Sequence, residues 1–275
     1  MISYKQLIKD ADKKLDDPNL GRLFMVEIMR EKGLDLFALH DERADDEIAT
    51  YFKCGVEQLA KGKPLAYVLG YHWFYGYRIK VNEDTLIPRS ETEELVANIL
   101  TYVDDHFVNP QIVDVATGSG AIAIALAKEL DLSVDASDIS EDALKQATYS
   151  AKENNASVNF YQGDMLEPII DLNKKYDVLV CNPPYIKEIE DVDPSVLDYE
   201  PHIALFGGED GLYFYRKVFE KAHLVLNDKY LMAFEIGYDL GESIVTLAKE
   251  YFPTATVEIK KDISNLDRML FVYEN

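Results

Sequence analysis

The chain has 275 residues, 48% of them hydrophobic and 28% charged, a balance that is typical of folded globular proteins and too apolar for disorder. Fifty acidic and 28 basic residues give a formal net charge of −22, which repels phosphate backbones and disfavours a nucleic-acid partner. The first residues, MISYKQLIKDADKK, lack the apolar core of a signal peptide, and the longest apolar run, residues 121–127, is too short to cross a bilayer. We therefore expect a cytoplasmic protein that does not span a membrane.

The cysteines and histidines indicate neither a metal site nor a disulfide framework. Cys54 and Cys181 lie far apart, without a CxxC motif or a companion histidine cluster. The five histidines match no metal-ligand spacing. We expect two free thiols and no bound metal.

Helical periodicity fills the N-terminal region, without a strand pattern. The predicted helices are Tyr4–Leu15, Pro18–Lys32 (with Pro18 in the first turn) and Glu42–Lys61. After Lys63-Pro64 the texture changes, because YVLGYHWFYGYRIKV at 67–81 is rich in aromatic and β-branched residues and contains two glycines. This predicts a helical domain at 1–66, a linking β-hairpin at 67–88 and a larger domain at 89–275.

Strand and helix patterns alternate from Pro88 onward, which predicts an α/β fold with a doubly wound, mainly parallel seven-stranded sheet. The predicted strands are 112–116, 133–137, 158–162, 178–181, 230–236, 256–260 and 269–273. The predicted helices between them are 91–104, 120–130, 140–154 and 212–226. The last two strands are too close for a helical crossover, so we expect them to pair as an antiparallel hairpin.

A glycine-bearing turn follows the first of these strands, in DVATGSGAIA at 114–123. Its glycines allow the backbone to approach a ligand, and the helix that follows presents unpaired amide groups. The candidate cofactor-binding residues here are Ala116, Thr117, Gly118, Ser119 and Gly120. By itself the spacing also fits a dinucleotide-binding fingerprint or a simple turn.

The next two strand ends carry further polar residues. Asp138 can accept hydrogen bonds from two ribose hydroxyls, or else cap the helix after it. After the third strand, Asp164 can reach an exocyclic adenine amine while Met165 packs on the ring. These strand ends converge on one crevice, the usual ligand site of an open α/β sheet.

The fourth strand, VLVC, ends in Asn182-Pro183-Pro184-Tyr185 beside the first strand. The prolines remove two amide donors, so the loop cannot continue the sheet and its carbonyl groups stay available as acceptors. The Asn182 side-chain oxygen and the Pro183 carbonyl form an acceptor pair suited to an NH₂ group, and Tyr185 offers a flat face to a planar amide or base. A stiff loop without function is the alternative, which the neighbouring glycine turn disfavours.

With these motifs the chain resembles class I methyltransferases that use S-adenosylmethionine and, more narrowly, the release factor N5-glutamine methyltransferases (the PrmC/HemK family). Besides DVATGSGAIAIALA and NPPYI, the resemblance rests on LIPRSETEEL (86–95), YEPHIALFGGEDGL (199–212), FEIGY (234–238) and KDISNLDR (261–268). It runs essentially the whole length. Ala116 replaces the first glycine of the common GTGSG turn, which we read as sterically mild; Ser90 replaces a common proline, and Leu240 a common glutamine.

The resemblance implies methyl transfer to the side-chain amide of the glutamine in the Gly-Gly-Gln motif of class I release factors, with S-adenosylhomocysteine as product. It implies a Rossmann-like fold. Our own hypothesis is that positioning does most of the catalysis, at Asn182, Pro183, Pro184 and Tyr185, with Asn182 also contacting the cofactor, and we expect a monomer. The N-terminal helices would then recognise the protein substrate. Three alternatives stay open: an adenine-N6 nucleic-acid methyltransferase, a glutamine methyltransferase of a ribosomal protein, and a non-enzymatic S-adenosylmethionine-binding protein.

Two further segments have open roles. Arg89, Glu91 and Glu93 either line the substrate entrance or only cap and pair at the start of a helix. The long segment 186–211, with Glu200 and Pro201, is expected to order over the substrate by analogy alone.

Overall fold

The structure, a computed structural model, describes residues 2–187 and 192–275. These form two compact units, one that ends at Tyr71 and one from His72 to Asn275. No helix within the described ranges is both long enough and apolar enough to cross a membrane.

The first unit is helical, as predicted. Its helices are α1 (Tyr4–Ala11), α2 (Leu20–Glu31), α3 (Leu36–Leu39), α4 (Asp46–Leu59) and α5 (Leu65–Leu69). Side chains of Ser3 and Asp45 accept amide hydrogen bonds at the starts of α1 and α4. The apolar faces pack into one core around Phe24 and Phe52, whose rings stack with centroids 5.4 Å apart. Pro18 lies two residues before α2 rather than in its first turn, which corrects the predicted start.

A two-stranded hairpin follows, β1 (Tyr71–Phe74) and β2 (Tyr77–Lys80). It begins later than the predicted Tyr67, because 65–69 forms α5 instead of a strand. Gly70, at φ +80°, ends this helix in the left-handed conformation. The β-branched and aromatic residues of LAYVL had favoured a strand, and their packing on the helical core decides otherwise.

The second unit has the predicted seven-stranded sheet, in the order β5-β4-β3-β6-β7-β9-β8. Its strands are β3 (Ile112–Val115), β4 (Val134–Asp138), β5 (Val158–Gln162), β6 (Tyr176–Cys181), β7 (Leu226–Glu235), β8 (Thr256–Lys261) and β9 (Asp267–Glu274). The first five are parallel, whereas β9 is antiparallel to β7 and β8. The predicted terminal hairpin is therefore confirmed.

Helices cover the sheet: α6 (Ser90–His106), α7 (Ala121–Leu130), α8 (Glu141–Glu153), α9 (Glu167–Ile170), α10 (Pro194–Tyr199), α11 (Tyr213–Ala222) and α12 (Gly241–Tyr251). The sequence interpretation missed α9, α10 and α12. It also extended α11 to 226, where β7 already begins. α12 had a readable signal, since Ile244, Leu247 and Ala248 recur at helical spacing and are buried.

Candidate active site

The carboxyl ends of β3, β4 and β5 are tied together by hydrogen bonds. The Thr117 amide donates to the Ser137 carbonyl at 2.9 Å, and the Ser137 hydroxyl donates to the Met165 carbonyl at 2.8 Å. The Gly163 amide donates to the Asp138 carbonyl at 2.9 Å. The predicted cofactor-binding residues at these strand ends therefore lie together, as parallel pairing requires.

The two glycines of the first turn have different roles. Both have positive φ, +55° at Gly118 and +80° at Gly120. A Cβ added at Gly118 would meet no heavy atom of the described residues within 4 Å, so this backbone borders open space. A Cβ at Gly120 would lie 2.9 Å from the Ala147 Cβ, so that glycine permits close packing of α7 on α8.

Ala116, at the start of the same turn, carries backbone strain. Its φ is +58°, in the left-handed region that costs an L-amino acid roughly 1–2 kcal/mol. The expectation that alanine is sterically mild here overlooked this conformation, in which the Ala116 Cβ lies close to the following carbonyl oxygen. The first position of the turn thus requires a glycine-type conformation, which this chain adopts with an alanine.

Asp138 braces the glycine turn. Its carboxylate accepts the amide of Gly118 at 2.8 Å and that of Ser140 at 2.9 Å. The cap of α8 is Ser140, whose hydroxyl accepts the Ala143 amide, so Asp138 is not the capping residue. Burial raises the pKa of Asp138, and the two amides oppose that rise. Each carboxylate oxygen keeps a second lone pair for a ribose hydroxyl.

Asp114 supports the turn from inside and was not singled out from the sequence. One of its oxygens accepts the Thr117 hydroxyl at 2.5 Å and the Ala123 amide at 3.1 Å. The other oxygen is buried without a hydrogen-bond partner among the described residues. Burial raises the pKa of Asp114 to about 7. Thr117, a predicted cofactor ligand, therefore donates its only hydroxyl proton within the protein.

A cavity of about 310 Å³ lies against these strand ends. Its wall is largely apolar, with Ile122, Ile139 and Met165, and polar at the carboxylates of Asp138 and Asp164. Such a surface fits a nucleoside, with an apolar slot for the base and acceptors for ribose hydroxyls and an exocyclic amine. The open space beside Gly118 belongs to this cavity. The residues present thus fit S-adenosylmethionine.

Asp164 is already engaged in an ion pair with Lys217 of α11, and both residues line the cavity. A carboxylate has about four acceptor sites, so Asp164 can also accept an adenine amine. Lys217 is an additional cationic residue of the cavity that the sequence interpretation missed.

The NPPY loop separates this cavity from a second one of about 180 Å³. Asn182 and Pro184 line both cavities, whereas Pro183 and Tyr185 line only the second. Among the described residues, none donates a hydrogen bond to the Asn182 side-chain oxygen or to the Pro183 carbonyl. The acceptor pair predicted from the sequence therefore has no donor within the described part of the chain.

A buried hydrogen-bond network lies behind the loop. The Asn182 side-chain amide donates to the Thr92 hydroxyl at 3.3 Å, and that hydroxyl donates to Glu235 at 2.5 Å. The Tyr185 hydroxyl donates to the other Glu235 oxygen at 3.2 Å. Thr92 and Glu235 lie in the ETEEL and FEIGY motifs, the only sequence signal that marked them.

The IPRSETE residues have mainly structural contacts. Arg89 donates to Glu200 at 2.6 Å, and the Ile87 amide donates to the other Glu200 oxygen at 3.1 Å. The Glu200 side chain is only 2% exposed. Glu91 accepts the Ser90 hydroxyl, and Glu93 accepts the Tyr75 amide. Of the three predicted entrance residues, only Arg89 lines the second cavity.

Part of the 186–211 segment covers the site. Pro201, Ile203 and Ala204 line the first cavity, and Val192, Asp193 and Val196 line the second. Residues 188–191 of this segment lie outside the described residues.

Comparisons with known proteins agree with this geometry. Residues 93–198 match the model of the methyltransferase small domain family. The chain is 41% identical to a release factor glutamine methyltransferase of Bacillus anthracis over 261 residues, 93% of this chain and 92% of the relative. It is 43% identical to the protein of that name from Bacillus subtilis over 254 residues, 90% and 88% of the two chains.

The chain belongs to the release factor glutamine methyltransferase family. The matched span includes most of the N-terminal helical unit, since it covers about nine-tenths of both chains. A methyltransferase from Pyrococcus furiosus superposes with a TM-score of 0.53 at 17% identity, covering 79% of this chain and 96% of that one. That likeness shows that the two chains share a fold.

Proposed function

We propose that this protein transfers a methyl group from S-adenosylmethionine to the side-chain amide nitrogen of the glutamine in the Gly-Gly-Gln motif of class I release factors. The observation that carries the proposal is the position of Asn182 between two cavities, with a side-chain oxygen to which no described residue donates a hydrogen bond. Family membership names the reaction, and this geometry supplies a physical basis for it.

The first cavity is the proposed cofactor site. Asp138 holds the ribose hydroxyls, Asp164 the adenine amine, and Met165 packs on the base. At Gly118 the turn presents backbone without a side chain to this cavity, where the rest of the cofactor would lie. S-adenosylmethionine supplies an electrophilic methyl group there.

The second cavity is the proposed site of the glutamine side chain. An amide nitrogen is a poor nucleophile, because its lone pair is delocalised into the carbonyl group. We assign the Asn182 oxygen and the Pro183 carbonyl to the two amide protons, so that the nitrogen lone pair is aimed toward the first cavity. Orientation of this kind is worth roughly 7–11 kcal/mol relative to free encounter, enough to carry much of the catalysis. The same acceptor dipoles stabilise the positive charge that develops on nitrogen while the bond from sulfur to the methyl group breaks. S-adenosylhomocysteine is the leaving group, and the methylated amide nitrogen releases one of its two protons to water.

Tyr185 contributes to the second cavity in a restricted way. It was predicted to offer its ring face to a planar amide, and its hydroxyl is held by Glu235. Burial raises the pKa of Tyr185, with the Glu235 charge adding to the rise, so the phenol stays neutral. We assign it to the wall of the glutamine pocket, without a role in proton transfer.

The proposal extends to the rest of the molecule. We assign substrate recognition to the N-terminal helical domain at 1–66, with the hairpin region 67–88 as its link to the methyltransferase domain at 89–275. We also propose a monomeric, cytoplasmic enzyme without nucleic-acid substrates, because a net charge of −22 repels a phosphate backbone.

Mass spectrometry of release factors incubated with the purified protein and S-adenosylmethionine tests the function. One added methyl group on the Gly-Gly-Gln glutamine is expected, and none on a matched release factor with that glutamine changed to asparagine. Methyl transfer to DNA, RNA or ribosomal protein in parallel reactions, with none to release factors, would contradict the proposal. Absence of transfer to every acceptor would favour a non-enzymatic binding role.

A further inference from the structure

We propose that Glu235, acting through the Thr92 hydroxyl, fixes the orientation of the Asn182 side-chain amide so that its oxygen, and not its nitrogen, faces the glutamine to be methylated. The inference rests on the proposed function for the identity of the acceptor. It goes beyond that function by assigning two positioning residues that do not themselves touch substrate in the proposed arrangement.

The distances define a continuous chain of hydrogen bonds. Asn182 Nδ2 lies 3.3 Å from Thr92 Oγ1, which lies 2.5 Å from Glu235 Oε2. Thr92 is 4% exposed and Glu235 2% exposed, so solvent does not offer alternative partners to either side chain. The chain joins α6, the end of β7 and the NPPY loop.

The direction of these hydrogen bonds follows from the donors available. An ionised carboxylate only accepts, so the single hydroxyl proton of Thr92 must go to Glu235. The face of that hydroxyl toward Asn182 then carries lone pairs alone. Only the NH₂ end of the Asn182 amide can meet it, and the amide oxygen is left at the opposite side.

We call this series of hydrogen bonds, from Asn182 through Thr92 to Glu235, the relay. The two ends of the Asn182 amide are nearly isosteric, so without the relay they can exchange places. The flipped amide would turn two donors toward the NH₂ group of the acceptor, which is itself a pair of donors. The glutamine side chain to be methylated would then be repelled at the point where it must be held. Orientation of one side-chain amide thus decides whether the proposed acceptor pair exists.

Two neighbours of Glu235 favour its anionic form. The Tyr185 hydroxyl donates to Glu235 Oε1 at 3.2 Å, and the positive charge of Arg268 favours the ionised form. Arg268 is held in turn by Asp262, with its Nε 3.1 Å from the carboxylate. Burial raises the pKa of Glu235 and opposes these effects, so the partners are needed to hold the acceptor-only state.

Thr92→Val and Thr92→Ser form a matched pair, because valine keeps the shape without the hydroxyl and serine keeps the hydroxyl. We expect Thr92→Val to lower kcat by roughly 10–100-fold, with the dissociation constant of S-adenosylmethionine within about threefold of wild type. Thr92→Ser should restore most of the rate. Valine at wild-type kcat, or serine as slow as valine, would overturn the relay.

Glu235→Gln tests the direction of these hydrogen bonds. It also replaces Thr92→Val as the test if valine prevents folding. A glutamine amide can donate to the Thr92 oxygen, which frees the hydroxyl proton for the Asn182 oxygen and favours the flipped state. We expect a kcat loss similar to that of Thr92→Val, again with little change in cofactor affinity. Wild-type kcat in this variant would also overturn the inference.

A measurement without substrate separates this inference from the proposed function. In ¹⁵N-labelled protein the Asn182 side-chain NH₂ signal, assigned by its loss in Asn182→Ala, should be protected from exchange in wild type and unprotected in Thr92→Val. Equal protection in both proteins would refute the relay even if release factors are methylated. Wild-type protection without any methylation would refute the proposed function and leave the relay standing.

Discussion

Gly207→Ala should impair methyl transfer without touching either substrate, because this glycine packs directly on the NPPY backbone. Its amide donates to the Ile186 carbonyl at 2.9 Å, which places the glycine beside the loop. A Cβ added there would lie 2.6 Å from the Pro184 carbonyl oxygen and 2.7 Å from the Tyr185 Cα. Both neighbours are backbone atoms of a loop stiffened by two prolines, so no side chain can turn away to make room.

The size of the effect follows from these distances. Ordinary Cβ contacts begin at 3.4 Å, so the loop or the glycine segment must move by up to about 0.8 Å, the difference from 2.6 Å. A misplacement of about 1 Å in a site that works by orientation costs on the order of 100-fold in rate. We expect kcat to fall about that much, with a stability loss of about 1–3 kcal/mol from overpacking. The cofactor dissociation constant should change less than tenfold, since the glycine turn and Asp138 lie on other strands.

Single-turnover methylation of a release factor at saturating cofactor measures the rate, and titration calorimetry measures cofactor affinity. Gly76→Ala is the control: Gly76 has a positive φ, +81°, but an added Cβ there meets no atom of the described residues within 4 Å. This control should lose stability through backbone strain and keep its kcat. A folded Gly207→Ala protein with kcat within twofold of wild type would show that the NPPY position tolerates displacement, against the reasoning above.

Three more changes test other parts of the site. Asn182→Ala should lower kcat by roughly 100–1000-fold and leave cofactor affinity nearly unchanged, because a preorganised acceptor is lost; near-normal turnover would remove Asn182 from the mechanism. Because the pKa of Asp114 is raised to about 7 from an ordinary 3.8, the folded protein favours the protonated carboxyl group. The stability that this group contributes is therefore full below pH 3.8 and is lost as the pH rises through 7. Asp114→Asn should therefore flatten the pH dependence of urea unfolding, removing a loss of about 1 kcal/mol between pH 6 and 8, and an unchanged slope would contradict the assignment. Ala116→Gly should raise the unfolding free energy by about 0.5 kcal/mol, since relief of left-handed strain exceeds the added entropy of the unfolded chain; a clear decrease would show that the turn is unstrained.

Much of the sheet could be predicted because parallel strands are buried on both faces and form nearly continuous apolar runs. β3, which is buried at all four residues, lies within the predicted bounds 112–116, and β6 lies beside β3 as expected. The edge strand β5 has the predicted bounds 158–162, although it is only partly buried. The positions of Asp138 and Asn182 followed from topology, since parallel strands bring their carboxyl ends to one edge. The positions of residues at the ends of parallel strands could therefore be predicted from the sequence.

Contacts between residues far apart in sequence could not be predicted from the sequence. Thr92 and Glu235 are 143 positions apart, and Arg89 and Glu200 are 111 apart. No periodicity links such pairs, because the packing of α6 and of the 200–204 segment on the sheet decides which side chains meet. The strain at Ala116 was equally hidden, since nothing in an alanine indicates a positive φ.

The distant contacts explain how a loop without two of its amide donors keeps a defined position. Pro183 and Pro184 cannot donate to neighbouring strands, so the loop is held by other segments: Gly207 against its backbone, Thr92 at Asn182, and Glu235 at the Tyr185 hydroxyl. Each of these residues lies outside the NPPY segment in sequence. If orientation carries the catalysis, the rate should depend on these supports almost as strongly as on the residues that contact the substrate, whereas cofactor affinity should depend mainly on the glycine turn, Asp138 and Asp164.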